Sequence, residues 1–252
     1  MLEINEIFGP TIQGEGKFLG SPSVFIRLSR CNMRCEGFNV SYKTPNGKLK
    51  KSCDTYYAVD PAFKNQWKKQ NADEIIKEVS SLLPNYKIDI VISGGEPLLY
   101  WENEEFQRLL KYYISNKHRV TIETNASLDI DFKKDYQKKI VFSMSVKLSN
   151  SLESLKKRFN LNNLNRILKN TKDSYFKFVI DKNSIVKTND EIKDILKEID
   201  NIEKTKIYLM PMGETTKQID KNSQSVIDLA VKNGFNYSDR LHIRIWDNKR
   251  GV

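Results

Sequence analysis

Residues 87–97 read KIDIVISGGEP. Ile88, Ile90, Val91 and Ile92 give a β-branched apolar run that predicts a strand buried on both faces, ending at Gly94-Gly95. Upstream, NADEIIKEVSSLL (71–83) sets Ile75, Ile76, Val79, Leu82 and Leu83 at helical spacing, with Asn71 as N-cap and Glu74 three residues on. Downstream, NEEFQRLLKYYIS (103–115) predicts the next helix. The alternation continues outward in both directions. SVFIRLS (23–29), HRVTIETN (118–125), KIVFSMSVK (139–147), SYFKFVID (174–181), KIYLMPM (206–212) and LHIRIW (241–246) read as strands, with helices near 151–158, 188–200 and 217–233. Seven strands alternating with helices predict an α/β fold, a parallel sheet or an incomplete (β/α) barrel. No repeat, low-complexity tract or Gly/Ser-rich linker divides residues 1–252, so a single domain is expected.

Composition narrows the function. The 252 residues carry a net charge of +10. Much of it is dispersed lysine, as in KKDYQKK (133–139) and LKKRF (155–159), which suits solvated faces and a small anionic ligand better than a nucleic-acid groove. No apolar run approaches the roughly 18 residues of a membrane span, and MLEINEIFGP has neither a basic start nor an apolar signal core, so a cytoplasmic protein without membrane partners is expected. With only His118 and His242, His-based triads and His-rich metal sites recede.

In such folds ligands sit beyond the carboxyl ends of the strands. Those ends carry the unusual residues here: Cys31 after SVFIRLS, GGEP after DIVIS, ETN at 123–125, SVK at 145–147 and PMGE at 211–214. All three cysteines, Cys31, Cys35 and Cys53, fall within residues 31–55. Pro45-Asn46-Gly47 marks a tight turn between Phe38, Val40 and Tyr42 on one side and Leu49 on the other, so residues 36–52 read as a β-hairpin insertion that returns Cys53 beside Cys35. Three thiolates without a fourth suit a [4Fe–4S] cluster with one open iron better than a closed zinc site, although a zinc ion borrowing His118 or His242 stays open at this point.

These residues resemble the radical S-adenosylmethionine enzymes, which share CxxxC after the first strand, a third cysteine and Gly-Gly-Glu-Pro after the next strand. Within them, FGPTIQGEGKFLGSPSVFIRLSRCNMRC (8–35), CDT (53–55), SGGEP (93–97), ETN, SVK, PM (211–212) and the terminal RIWDNKRGV resemble the 7-carboxy-7-deazaguanine synthase family. Two departures stand out. A hairpin separates the second and third cysteines, and Ser145-Val146-Lys147 replaces the more usual Ser-Pro-Lys. The resemblance implies an incomplete barrel of the radical S-adenosylmethionine type. It also implies cleavage of S-adenosylmethionine to a 5′-deoxyadenosyl radical and ring contraction of 6-carboxy-5,6,7,8-tetrahydropterin to 7-carboxy-7-deazaguanine with loss of ammonia, on the route to queuosine-type 7-deazapurines. Mg²⁺, a reductant such as flavodoxin or ferredoxin, and a homodimer follow from the same resemblance.

Side-chain chemistry supports part of the site independently. Cys31, Cys35 and Cys53 would hold iron as thiolates. Gly94-Gly95 would let backbone approach the cofactor's methionine portion, and Glu96 offers an acceptor for its ammonium. Gln13 carries donors and an acceptor for a pterin's amide edge, with backbone contact at Gly14 and Gly16, and Arg27 would pair with the substrate carboxylate. The resemblance adds Thr55 for Mg²⁺, Ile12 and Ser93 for substrate, and Ser52, Asp54, Asn125, Ser145, Val146, Lys147, Met210, Pro211, Met212 and Gly213 for S-adenosylmethionine. From position alone, the terminal carboxylate or Arg250 would fold towards the pterin. Two other readings compete: a radical enzyme activating a protein glycine, against which IQGEG and Arg27 argue, and a basic zinc-containing RNA-binding protein.

Overall fold

The computed structural model describes residues 1–199, 202–203 and 206–252. Its main sheet is built from β1 (Leu2–Ile12), β2 (Pro22–Leu28), β5 (Lys68–Gln70), β6 (Asp89–Gly94), β7 (Arg119–Thr124), β8 (Val141–Met144), β9 (Tyr175–Ile180), β10 (Ile207–Pro211) and β11 (Asn236–Tyr237). Among the described residues the order is β11-β10-β9-β8-β7-β6-β2-β1-β5. The strands from β2 to β11 pair in parallel, whereas β1 runs antiparallel to β2 and β5 antiparallel to β1. The ends of this order do not meet, so the sheet is an incomplete (β/α) barrel, as the alternation predicts.

Asp89 to Ser93 of β6 are all buried, as expected of a strand packed on both faces. The outer layer consists of α2 (Ala72–Ser80), α3 (Glu104–Ser115), α5 (Leu161–Asn170), α6 (Ile185–Lys197) and α7 (Thr216–Asn233). Their apolar faces share one core with the strands, including Ile75, Phe106, Ile122, Phe142, Leu164, Phe178 and Val226. The Asn71 cap is present in reciprocal form: Asn71 Oδ1 accepts from Glu74 N (2.9 Å) and Glu74 Oε2 accepts from Asn71 N (2.7 Å). The cap stabilises α2 by roughly 1 kcal/mol. Among the described residues no helix is long and apolar enough to cross a membrane.

The hairpin expected within 36–52 consists of β3 (Val40–Lys43) and β4 (Leu49–Ser52), in register from Val40 opposite Ser52 to Lys43 opposite Leu49. Gly47 supplies the positive φ (86°) of its turn. After it come α1 (Tyr56–Val59) and a small aromatic core of Tyr42, Tyr57 and Phe63 with Tyr56 packed against it.

Three expectations need correction. LHIRIW is not a strand but α8 (Leu241–Trp246): Ile243 N and Arg244 N both donate to Arg240 O (2.9 and 3.1 Å). Six residues of alternating pattern are too few to separate a period of 2 from one of 3.6, and the helical turn brings Arg240 and Arg244 to buried and surface carboxylates respectively. The helix expected at 151–158 shrinks to α4 (Leu155–Arg158), and α5 was missed although Asn160, Leu161, Leu164 and Ile167 give a cap and a helical stripe. The helix near 188–200 is α6, which starts at Ile185; position 200 lies outside the described residues. β1 also went unread, since only its first three residues are buried and its apolar alternation is weak.

Candidate active site

The loop after β2 carries Cys31 and Cys35 and is tied down from several directions. Arg30 N donates to Ala58 O (2.7 Å), Asn32 Nδ2 to Ser127 Oγ (2.9 Å), and Ser52 Oγ, at the end of β4, to Arg34 O (2.5 Å). That last bond is where the hairpin closes, bringing Cys53 back to the loop it left. Gly95 N and Glu96 N donate to the carbonyls of Leu28 and Arg30 (3.1 and 2.8 Å). A Cβ on Gly94 would run into the Leu28 carbonyl, and one on Gly95 into that of Arg30. The glycine pair is therefore required first by the approach of β6 to the cysteine loop.

The three thiols are free and line one cavity. Burial raises the pKa of each, Cys35 to about 12, and the charges of the neighbouring cysteines push in the same direction for Cys31 and Cys35. Such thiols ionise readily only when a cation replaces their protons. Among the described residues no three His, Cys, Asp or Glu side chains gather closely enough to hold a single metal ion. His118 Nδ1 is engaged with Ile88 O (3.1 Å), and His242 lies over Gly14. Three thiols lining one cavity are the donor set that would hold an iron–sulfur cluster through three of its irons.

The cavity has a volume of about 760 Å³ and runs along the carboxyl ends of the strands. Ile12, Gln13, Gly14, Arg27, Asp54, Thr55, Ser93, Gly94, Gly95, Asn125, Ser145, Lys147, Met210, Met212 and Gly213 line it with the cysteines. Ser52, Glu96, Val146 and Pro211 do not belong to its wall. Glu96 is fully buried; Oε1 accepts from Leu98 N (2.9 Å) and Thr124 Oγ1 (2.6 Å), and Oε2 from Asn125 N (2.7 Å). It ties the end of β6 to the end of β7. A Cβ on Gly14 would meet the His242 ring and one on Gly16 the Tyr175 hydroxyl, and of these two glycines only Gly14 lines the cavity. Thr55 Oγ1 lies 3.4 Å from Cys53 Sγ, and Lys147 Nζ donates to Ser145 Oγ (2.9 Å).

The polar end of the cavity is a network the sequence reading did not assemble. Lys177 Nζ bonds Glu15 Oε2 (2.6 Å) and stands 3.8 Å from Glu123 Oε1. Arg240 reaches Glu15 Oε1 (2.8 Å) through Nε and Asp54 Oδ2 (2.7 Å) through Nη2. Glu123 accepts from Ser93 Oγ (2.8 Å) and Gln13 Nε2 (3.3 Å). Burial opposes ionisation of Glu15, but the Lys177 and Arg240 cations outweigh it and hold its carboxyl well below the usual range. Arg27 donates through Nε to Glu6 Oε1 (2.6 Å) and makes no other hydrogen bond among the described residues, which leaves its terminal nitrogens to the cavity. Lys177 had a signal, a lysine inside the apolar run SYFKFVID. The chain's last residues, Asn248 to Val252, line the cavity too, with the Arg250 guanidinium 3.6 Å from the Tyr57 ring centre and donating to Tyr56 Oη (2.7 Å).

The family described as 4Fe-4S single cluster domain matches residues 12–168. A 7-carboxy-7-deazaguanine synthase of Halobacterium salinarum is 30% identical, covering 98% of this chain and 91% of its own. The same enzyme of Rhodopirellula baltica is 28% identical, covering 95% and 85%. The crystal structure of QueE from Escherichia coli has the same fold, with a TM-score of 0.65 at 20% identity over 96% of this chain and 94% of that one.

Proposed function

The chain belongs to the 7-carboxy-7-deazaguanine synthases, radical S-adenosylmethionine enzymes with a 4Fe–4S single cluster domain, and from that membership we propose that it contracts 6-carboxy-5,6,7,8-tetrahydropterin to 7-carboxy-7-deazaguanine with loss of ammonia. The observation that carries the reading is the placing of three free cysteines and a balanced set of buried charges on one cavity.

In this reading Cys31, Cys35 and Cys53 hold the cluster. With cluster and S-adenosylmethionine bound, the chemistry supplied is reductive formation of a 5′-deoxyadenosyl radical. Gly94, Gly95, Asn125, Ser145, Lys147 and the Met210–Gly213 segment shape the cofactor side of the cavity. On the substrate side the terminal nitrogens of Arg27 take the carboxylate, whose charge would otherwise meet Glu123. Gln13 and Glu123 present an amide and a carboxylate to the donors and acceptors of the heterocycle. Glu123 in turn is oriented by Ser93 and faces Lys177, so the site receives a polar ring without an unpaired buried charge. Mg²⁺ would sit at Thr55, completed by water and substrate oxygens. The whole of 1–252 acts as one cytoplasmic domain, working as a homodimer with flavodoxin or ferredoxin as reductant.

The test is an anaerobic assay of the reconstituted protein with reductant, S-adenosylmethionine, Mg²⁺ and 6-carboxy-5,6,7,8-tetrahydropterin, read by mass spectrometry. 7-Carboxy-7-deazaguanine is expected, and is expected to vanish with the bound iron in Cys53→Ala. 5′-Deoxyadenosine without that product would keep the radical chemistry and discard the substrate.

A further inference from the structure

Glu153 carries none of the roles above. It lies between the short turn Ser149–Ser151 and α4, 118 residues beyond Cys35, yet its side chain reaches the cysteine loop. Oε1 accepts from both Arg34 N (2.5 Å) and Cys35 N (3.0 Å), and Oε2 accepts from Lys157 Nζ (2.7 Å). The side chain is only 11% exposed. Cys35 itself stands in the left-handed region at φ 51°, ψ 49°, a conformation that costs a non-glycine residue about 1–2 kcal/mol. Two consecutive N–H groups converging on one carboxylate oxygen offset that cost and fix the direction of the Cys35 side chain.

Glu153 is held in its turn. Its N donates to Ser151 Oγ (3.3 Å), and its carbonyl accepts from Arg158 Nε (3.2 Å). Arg158 Nη1 donates to Lys147 O (2.9 Å), and Arg158 also pairs with Glu191. The carboxylate is thus anchored to the segment that carries Ser145 and Lys147, and it bridges the thiol wall of the cavity to its cofactor wall.

We propose that Glu153 is a positioning residue for the iron–sulfur cluster, holding the Cys31–Cys35 loop through the Arg34 and Cys35 amides so that the Cys35 thiolate faces the site shared with Cys31 and Cys53. The inference rests on the cluster reading above.

Two measurements separate it from that reading. In the protein without iron, amide hydrogen exchange at Arg34 and Cys35 rises about tenfold or more in Glu153→Ala and stays near the parent value in Glu153→Gln, whose amide oxygen still accepts both bonds. Unchanged exchange in Glu153→Ala overturns the proposal, whether or not the parent protein takes up iron. In the anaerobically reconstituted protein, Glu153→Ala releases iron to a chelator about 10–100-fold faster and alters the electron paramagnetic resonance signal of the reduced cluster, as loss of an outer-shell partner does. Glu153→Gln restores both. Lys157→Ala leaves both unchanged, which distinguishes the tether from the charge of the helix. Release at the parent rate by Glu153→Ala also overturns the proposal. Should that variant not fold, Glu153→Asp, which withdraws the oxygen by about one carbon–carbon bond, carries the same comparison with the same outcomes. A parent protein that binds no iron at all would instead sink the cluster reading.

Discussion

At Glu96 the sequence motif and the structure assign different first duties to one carboxylate. An acceptor for a cofactor ammonium should face the cavity, whereas Glu96 is fully buried with both oxygens given to Leu98 N, Thr124 Oγ1 and Asn125 N. Glu96→Ala strands three buried donors, and a loss of about 2–4 kcal/mol is expected in urea denaturation, only part of it recovered by Glu96→Gln, whose single oxygen cannot replace both carboxylate oxygens. A large change in the Michaelis constant for S-adenosylmethionine without that loss of stability would restore the direct role. Arg27 makes the opposite case. Its Nε is spent on Glu6 and its terminal nitrogens have no hydrogen-bond partner among the described residues, so Arg27→Lys, which cannot grip a carboxylate with a fork, is expected to raise the Michaelis constant for the proposed pterin substrate about tenfold while cofactor affinity stays put.

Between Cys35 and Cys53, the β3–β4 hairpin is short and lysine-rich, and its own ladder is too small to hold it in place. What holds it is Asp60. Tyr42 Oη and Lys50 Nζ both donate to Asp60 Oδ2 (2.8 and 2.7 Å), and Tyr42 stacks on Tyr56 at 4.1 Å. Asp60→Ala should therefore raise amide exchange across residues 40–52 about tenfold, leave β6 and β7 unchanged, and lower the iron held per chain because Cys53 follows the hairpin directly. Equal exchange in hairpin and sheet would mean the insertion is held elsewhere. The same element shows how far a local signal reaches. Pro45-Asn46-Gly47 announced the turn, but its register and the role of Asp60 as its latch were not legible there.

Across the whole molecule, burial of charge makes stability depend on pH. Asp89, at the start of β6, has a side chain fully out of solvent, and burial lifts its pKa to about 6 although Arg119 and Thr121 both donate to it. The folded state then holds a proton that the unfolded chain has released, so stability from this group is present below about pH 4 and falls as pH rises towards 6, by up to about 3 kcal/mol. Glu15 acts in the opposite sense: its depressed pKa gives stability that is present above the ordinary carboxylate range and lost on acidification. Asp89→Asn is expected to flatten the decline between pH 4 and 6 measured by thermal denaturation, while acid unfolding at lower pH persists. An unchanged slope would assign the decline to other groups.

The strand Asp89–Gly94, the helices on either side of it, the capped start of α2, the hairpin and the clustering of the three cysteines were all legible in the chain, because each follows from residues close to one another in sequence. Their chemistry was legible for the same reason: a thiol, a guanidinium or a glycine pair keeps its character wherever it folds. The tertiary structure alone decided which partners they meet. Lys177 and Glu15 are 162 residues apart, and Cys35 and Glu153 are 118 apart, distances closed only by the order of the parallel strands. It also decided that α8 is a helix and that Gly94 and Gly95 clear the backbone of the cysteine loop. Periodicity records which side of an element is apolar, whereas these outcomes depend on what stands across the gap, and the sheet order sets that.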